Sequence, residues 1–348
     1  MTPLPGTCLS KGVSTSDMNE TVHPLAMTTH ASDVSGDSRA ARDQRNDLWF
    51  KRSMFGAAML VLLLLASIAA STLWGGGLAF KTFGFGFITS TDWDAVNNHF
   101  GALVPIYGTL VTSFLALLIA VPVSFGIAIF LTEVAPPWLR MPVASAVELL
   151  AGIPSIIYGM WGLFVFGPFM AEHLSPWIND YLGALPFIGS LFQGPPLGIG
   201  MLTAGIVLAI MITPFITSVM HEVFRSVPTQ LKESAYALGS TTWEVVWDIV
   251  LPYTRSAVVG GIFLGLGRAL GETMAVTFVL GNAQQFSASL LMPSSSIASV
   301  IANEFSEAYT DLHRSALIAL GFLLFIVTFV VLALARLMLM RLSRKEGL

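Results

Sequence analysis

Arg268 and Glu272 are the residues best placed for chemistry, standing at i and i+4 in a stretch, Ser256–Gly281, that carries no other charge. A guanidinium offers a planar fork that grips two oxygens of an oxyanion at once. If the stretch is one helix, Arg268 lies about twelve residues into it, near mid-bilayer at about 1.5 Å per residue. An arginine there costs about 2.5–3.5 kcal/mol on insertion scales, so it must face a partner or water. Glu272 is one such partner, because residues i and i+4 share a helix face. Two readings stand side by side. Arg268 is a waypoint for an anion, loosened by Glu272 so that the anion can leave, or the two form a buried ion pair that only makes the charges tolerable in lipid. Glu148 is the sole charge of another apolar stretch, Pro142–Phe169. An acid repels an anion, which suits Glu148 to a structural or gating contact, with Arg140 as its partner.

Little else in the sequence points to catalysis. The histidines His23, His30, His99, His173, His221 and His313 are scattered, with none at i, i+4 from another, so metal-ligand spacing is missing. A single cysteine, Cys8, rules out an internal disulfide and a cysteine metal cluster. There is no Gly-x-x-x-x-Gly-Lys-Ser/Thr phosphate loop, so ATP chemistry must come from another chain. No paired acids within an apolar stretch, no His–Glu motif and no Ser–His pair support an intramembrane protease or lipid phosphatase. The expectation is a chain without catalytic residue, metal or cofactor, and without a nucleic-acid partner.

The elements that position these residues must be membrane helices. The chain is 54% hydrophobic and 11% charged, against about 25% charged in soluble domains, so lipid must cover much of it. Stretches 54–74, 104–131, 142–169, 197–220, 256–281 and 315–335 are each long enough for the roughly 20 residues of a crossing. Each must be helical, since an isolated strand leaves its backbone unsatisfied in lipid. Lys and Arg gather before the first stretch, between the second and third, between the fourth and fifth, and after the sixth. The positive-inside rule then puts both termini in the cytoplasm. Residues 1–46 are rich in Ser, Thr, Asp and Asn and read as a disordered cytoplasmic tail, with 47–348 as the transmembrane domain. A cleaved signal peptide fits poorly, because the apolar run starts far from the N-terminus and exceeds the usual length of about 7–15 residues. Pro154, Gly152 and Gly159 in the third stretch and Pro214 in the fourth allow either hinge motion or close helix packing. Ile297, Val300, Ile301 and Phe305 have helical spacing and predict an amphipathic helix at the outer membrane surface.

The loop 221–255 is the most informative segment. Pro228 suits the first turn of a helix, on which Leu231, Ala235 and Leu238 share a face. Gly239 fits the left-handed position that ends helices, and Thr241 with Glu244 forms a capping-box pattern that starts the next one. The expectation is two short cytoplasmic helices meeting at a sharp corner, with Pro252 marking entry to the fifth span. An amphipathic anchor on the inner leaflet is the plainer alternative, but it has no use for the corner.

Glu233-Ser234-Ala235, then Gly239, then Ile249-x-Leu251-Pro252 resembles the EAA loop of ABC importer membrane subunits. The spacing agrees at each element, and Ser234 replaces the family's first alanine. In that family the loop is a coupling helix that docks into a cleft on a cytoplasmic ATPase. Glu148–Gly162, Gly267–Val276 and Ile297–Phe305 are further similar to the phosphate-specific branch, so that the resemblance covers the chain from about residue 50 onward. It implies an all-α, six-helix, type I importer permease (MetI-like) fold in the bacterial cytoplasmic membrane, with inorganic phosphate as substrate. It also implies a second, PstA-like permease subunit, a PstB-like ATPase dimer that binds the ATP, and a PstS-like extracytoplasmic phosphate-binding protein. Sulfate and molybdate permeases share the loop. A self-contained secondary transporter is the remaining rival, although no paired repeat is visible.

Overall fold

The computed structural model describes residues 34–186 and 189–345. The chain divides into two compact units at residues 64 and 65. In the first, the described residues form one helix, which continues as Val34–Gly75. The tail expectation for 1–33 lies outside the described residues, but 34–46 are helical. The run Ser38-Arg-Ala-Ala-Arg-Asp-Gln-Arg45 is built mostly of good helix formers, which the polarity of the segment as a whole obscured. Every side chain from 46 to 64 is exposed, as a lipid-facing helix requires.

Among the described residues, six helices are long and apolar enough to cross a membrane: Asn46–Gly75, Leu103–Val134, Ser155–Tyr181, Met201–Arg225, Thr242–Leu270 and Asp311–Leu337. No β-strand occurs among the described residues, which hold only isolated bridges. The span bounds shift from expectation, the first beginning at Asn46 and the sixth at Asp311. The third begins at Ser155, because Pro137–Ala151 is a separate helix that stops at Gly152. Ile153 precedes Pro154, and a residue before proline is pushed out of the α region. The fifth starts earlier, at Thr242, and ends at Leu270. The fourth starts after Gly198 and Gly200, whose φ values of 76° and 157° hold a turn with no room for side chains. A Cβ on Gly198 would lie 2.3 Å from the Gly167 carbonyl oxygen, and one on Gly200 would lie 2.6 Å from that of Leu291.

Spans two and four form the centre of the second unit. Ala116, Ala120 and Ala128 from one pack in a buried cluster with Val207, Leu208, Ile212 and Ile216 from the other. Small residues let the helices close up, as is common without a hydrophobic drive between membrane helices. A Cβ on Gly205 would come within 2.9 Å of Leu115, and Ser124 Oγ donates to the Thr213 carbonyl at 3.0 Å. The fifth span joins through Gly261 against Val219 and Gly265 against Ile216.

A second buried cluster is separate from the first. It joins Ala79, Phe87 and Phe100 to Ala316, Leu317 and Leu320 of the sixth span, with Ile297 and Val300 between them. The helix Ile297–Glu304 thus exists as its spacing predicted, with a Ser296–Ser299 capping box. Its first half packs into the protein: Ile297, Ala298, Ser299 and Val300 are buried, and the Ile297 amide donates to Thr109 Oγ1 of span two at 3.0 Å, while Ala302 and Asn303 in its second half are exposed. Hydrophobic spacing defines an apolar face, but protein and lipid cover such a face equally well. Gly76 stands against Ala319 so closely that a Cβ would meet the Ala319 backbone at 2.9 Å.

Candidate functional site

Arg268 and Glu272 do not share one helix. Helix Leu251–Leu270 ends two residues after Arg268, and Met274–Val279 begins a new one. Glycines at 261, 265, 267 and 271 weaken the helix as it approaches the break. Glu272 Oε1 then accepts the Ala275 amide at 3.3 Å, a local side-chain bond that competes with helix continuation. The ion-pair reading is therefore corrected, since Arg268 makes no salt bridge among the described residues. Its guanidinium carbon stands 5.7 Å from the ring centroid of Phe215 in span four. The helix that carries Arg268 also starts earlier than the expected 256. Arg268 lies about 39 Å along the helix from Thr242 at about 1.5 Å per residue, close to its far end.

The two chain breaks are adjacent. Gly159 of span three abuts Met274–Val279: a Cβ there would meet Phe278 at 2.9 Å and Ala275 Cα at 3.0 Å. Gly162 abuts Val279 in the same way, at 2.7 Å. Of the two readings of Gly159, close packing describes what it does. Tyr158 donates to the Leu150 carbonyl at 2.9 Å across the Gly152–Pro154 break and lies within electrostatic reach of Arg268. The result is an exposed cation near the end of one interrupted helix, an aromatic ring of span four under it, and a phenol from the other interrupted helix nearby. Such a group can attract an anion while lacking an enclosing carboxylate to compete for the charge.

Glu148 is exposed on the helix Pro137–Ala151. It does not pair with Arg140, whose Nη2 donates to the Ala135 carbonyl at 3.2 Å. Two helical turns separate Arg140 and Glu148, which puts the acid out of reach. Glu148 is not brought to Arg268 by any hydrogen bond or ion pair in the structure.

The 221–255 loop forms a corner with one short helix, not two. Thr229–Ala237 ends at a turn where Gly239 has φ of 89°, the left-handed conformation in which a side chain is strained. Thr241 then caps Thr242 through the expected capping box with Glu244. From there the chain runs without interruption through a π-helical segment, Val245–Val250, into Leu251–Leu270. Pro252 thus lies inside the span, not at its entry. It lacks the N–H for an α-type bond, and the wide turn sits directly before it. Of the face expected to hold Leu231, Ala235 and Leu238, only Ala235 is buried; Leu231 is 44% and Leu238 89% exposed. Glu233 and Ser234 are also exposed, Ser234 Oγ donating back to the Gln230 carbonyl at 2.7 Å. Ile249 and Leu251 are half-buried. With Tyr236 and Trp243 also exposed, the corner presents an apolar surface.

Comparison with known proteins identifies the architecture. Residues 124–344 match the family model described as binding-protein-dependent transport system inner membrane component. Phosphate transport system permease protein PstC of Xylella fastidiosa strain 9a5c is 66% identical over 309 residues, covering 89% of this chain and 95% of the relative. This chain belongs to the PstC family of ABC importer permeases. The PstC protein of Pasteurella multocida is 60% identical, covering 86% of this chain and 94% of its own. One chain of the crystal structure of a bacterial alginate ABC transporter, in complex with an alginate pentasaccharide-bound periplasmic protein, aligns at a TM-score of 0.57 and 19% identity. The alignment covers 87% of this chain and 97% of that one, a likeness of fold. A PstC-family chain with six spanning helices is a multi-pass inner membrane protein and a transport subunit.

Sequence reasoning missed Phe215 and Tyr158 as neighbours of Arg268, and Glu133 as the partner of Lys232. Periodicity carries no signal for contacts between residues so far apart along the chain. The glycines at 267 and 271, flanking Arg268, were the available hint of the helix break.

Proposed function

We propose that this chain is one half of the translocation channel of an ATP-driven importer of inorganic phosphate. Its partners are a PstA-like second permease, a PstB-like ATPase dimer that binds and hydrolyses the ATP, and a PstS-like extracytoplasmic phosphate-binding protein. Both termini and the 221–255 loop face the cytoplasm, as the Lys/Arg distribution favours. The reading is carried by the corner at Gly239. Its left-handed turn leaves open space around the glycine, and the exposed Leu238, Tyr236 and Trp243 offer a second chain something to bury. The names of the relatives support phosphate as cargo, and Arg268 supplies a fork suited to its oxygens.

In this reading ATP binding draws the ATPase halves together, the corner moves with them, and the half-channel alternates between outward and inward access. Arg268 is a waypoint without a fixed counter-charge, attractive enough to admit phosphate and open enough to release it. Glu233, Ser234, Ala235, Gly239, Ile249, Leu251 and Pro252 shape the docking corner. Glu148 takes a gating or structural part away from the anion. The test is reconstitution in proteoliposomes with the three kinds of partner chain, followed by uptake of labelled phosphate against sulfate. Phosphate uptake that needs ATP and the binding protein is expected. Uptake that persists without the ATPase, or that prefers sulfate, would overturn the proposal.

A further inference from the structure

The helix Thr229–Ala237 has few attachments to its own chain. Ala235 is its one buried side chain. The backbone ties it to spans four and five, the neighbours on either side in sequence, but span two has no covalent tie to it. Lys232 supplies one of another kind. Its ammonium meets Glu133 Oε1 in the π-helical turn Phe130–Val134 that ends span two. The two side chains are only 14% and 7% exposed, whereas those of the Glu222–Arg225 pair at the end of span four are 68% and 62% exposed. Thr132 Oγ1 bonds the Ala128 carbonyl at 2.7 Å, and the Ala135 amide bonds that of Phe130 at 2.7 Å, so Glu133 sits on a well-bonded turn.

Span two is in turn locked to span four along most of its length, through the alanine-lined cluster and the Ser124–Thr213 bond. A displacement at Glu133 therefore reaches the centre of the unit. A shielded ion pair keeps its partners together because separating them strands a charge away from water. We propose that the Lys232–Glu133 pair is the strut that carries movement of the coupling corner into span two, making both positioning residues for transport. The proposal rests on the coupling role given to the corner above.

The test uses the complete reconstituted transporter, with ATP hydrolysed per phosphate imported as the readout. Lys232→Met and Glu133→Gln should each raise that ratio by about tenfold, with the ATPase still co-purifying at wild-type stoichiometry. The exchanged pair Lys232→Glu/Glu133→Lys should return the ratio to within about twofold of wild type. A second experiment covers single variants that fail to assemble. In a Cys8→Ser background, Lys232→Cys/Glu133→Cys is bridged by a bifunctional thiol reagent about as long as the side chains it replaces. A strut predicts that the bridged transporter keeps its coupling, because the two points move together. A wild-type ratio in either single variant, failure of the exchanged pair to recover, or arrest by the bridge would each overturn the proposal. A wild-type complex that imports no phosphate with ATP would instead overturn the transport reading itself, which this control separates from the strut.

Discussion

Arg268 sits over the ring of Phe215, with its guanidinium carbon 5.7 Å from the ring centroid and no salt bridge among the described residues. The aromatic face, worth about 0.5–2 kcal/mol, steadies the cation without neutralising it. A carboxylate in the same place would hold the charge and compete with any arriving anion. Resting on Phe215, in place of pairing with Glu272, leaves the charge unneutralised, which is what the proposed anion waypoint requires.

Arg268→Ala should bring labelled phosphate uptake to background while the complex still assembles, measured by co-purification with its partners. Arg268→Lys should retain only part of the uptake, because an ammonium is a point charge without the planar fork. Glu272→Gln should leave uptake within about threefold of wild type, since an amide oxygen can still accept the Ala275 N–H. Normal uptake by Arg268→Ala would remove this residue from the pathway.

Gly239 tests the corner. A Cβ there meets nothing within 4 Å, so any cost of substitution comes from the φ of 89° or from an incoming partner. Gly239→Val should strain the turn by about 1–2 kcal/mol and block close approach, giving ATP hydrolysis that no longer tracks import. Gly239→Asn, which tolerates the left-handed conformation better, should lie between. Wild-type coupling in the valine variant would count against docking at this corner.

Gly159 and Gly152 make a matched pair. Gly159→Val drives a side chain into Phe278 and the Ala275 backbone, and overpacking of this kind costs about 1–3 kcal/mol. Gly152 has a negative φ, and its nearest obstacle is the Leu149 carbonyl oxygen at 3.4 Å. Gly152→Ala should therefore be tolerated. Thermal unfolding of the two purified variants in detergent checks the contrast, and equal midpoints would show that the abutment with Met274–Val279 is not close.

Asp94 gives a pH dependence outside the spans. Hydrogen bonds from the Asn97 side chain, the Asn97 amide and the Val96 amide hold its carboxyl below the ordinary carboxylate value. A depressed pKa contributes order that is fully present above the unfolded value and is lost as pH falls through the folded one. The protection of the Val96 and Asn97 amides against exchange, taken relative to an unstructured chain at the same pH, should accordingly fall only in strongly acidic solution. In Asp94→Asn that protection should be lower at neutral pH and lose its acid dependence.

Much of this protein was legible from the residues alone, because each signal was local or statistical. Scarce charge and long apolar runs announced helices in lipid, since an unpaired backbone is too costly there for anything else. The corner could be read from Pro228, Gly239 and the Thr241–Glu244 box because caps and left-handed turns depend on a few neighbouring residues. Contacts between distant parts of the chain had no such signature. An arginine with an acid one turn later looks paired until the helix ends between them at Leu270. The apolar face of Ile297–Glu304 could have met lipid or protein, and only packing against span two and the sixth span decided it. The joining of Lys232 to Glu133, 99 residues away, was set by the fold, because which side chains meet across helices is a property of how the helices pack.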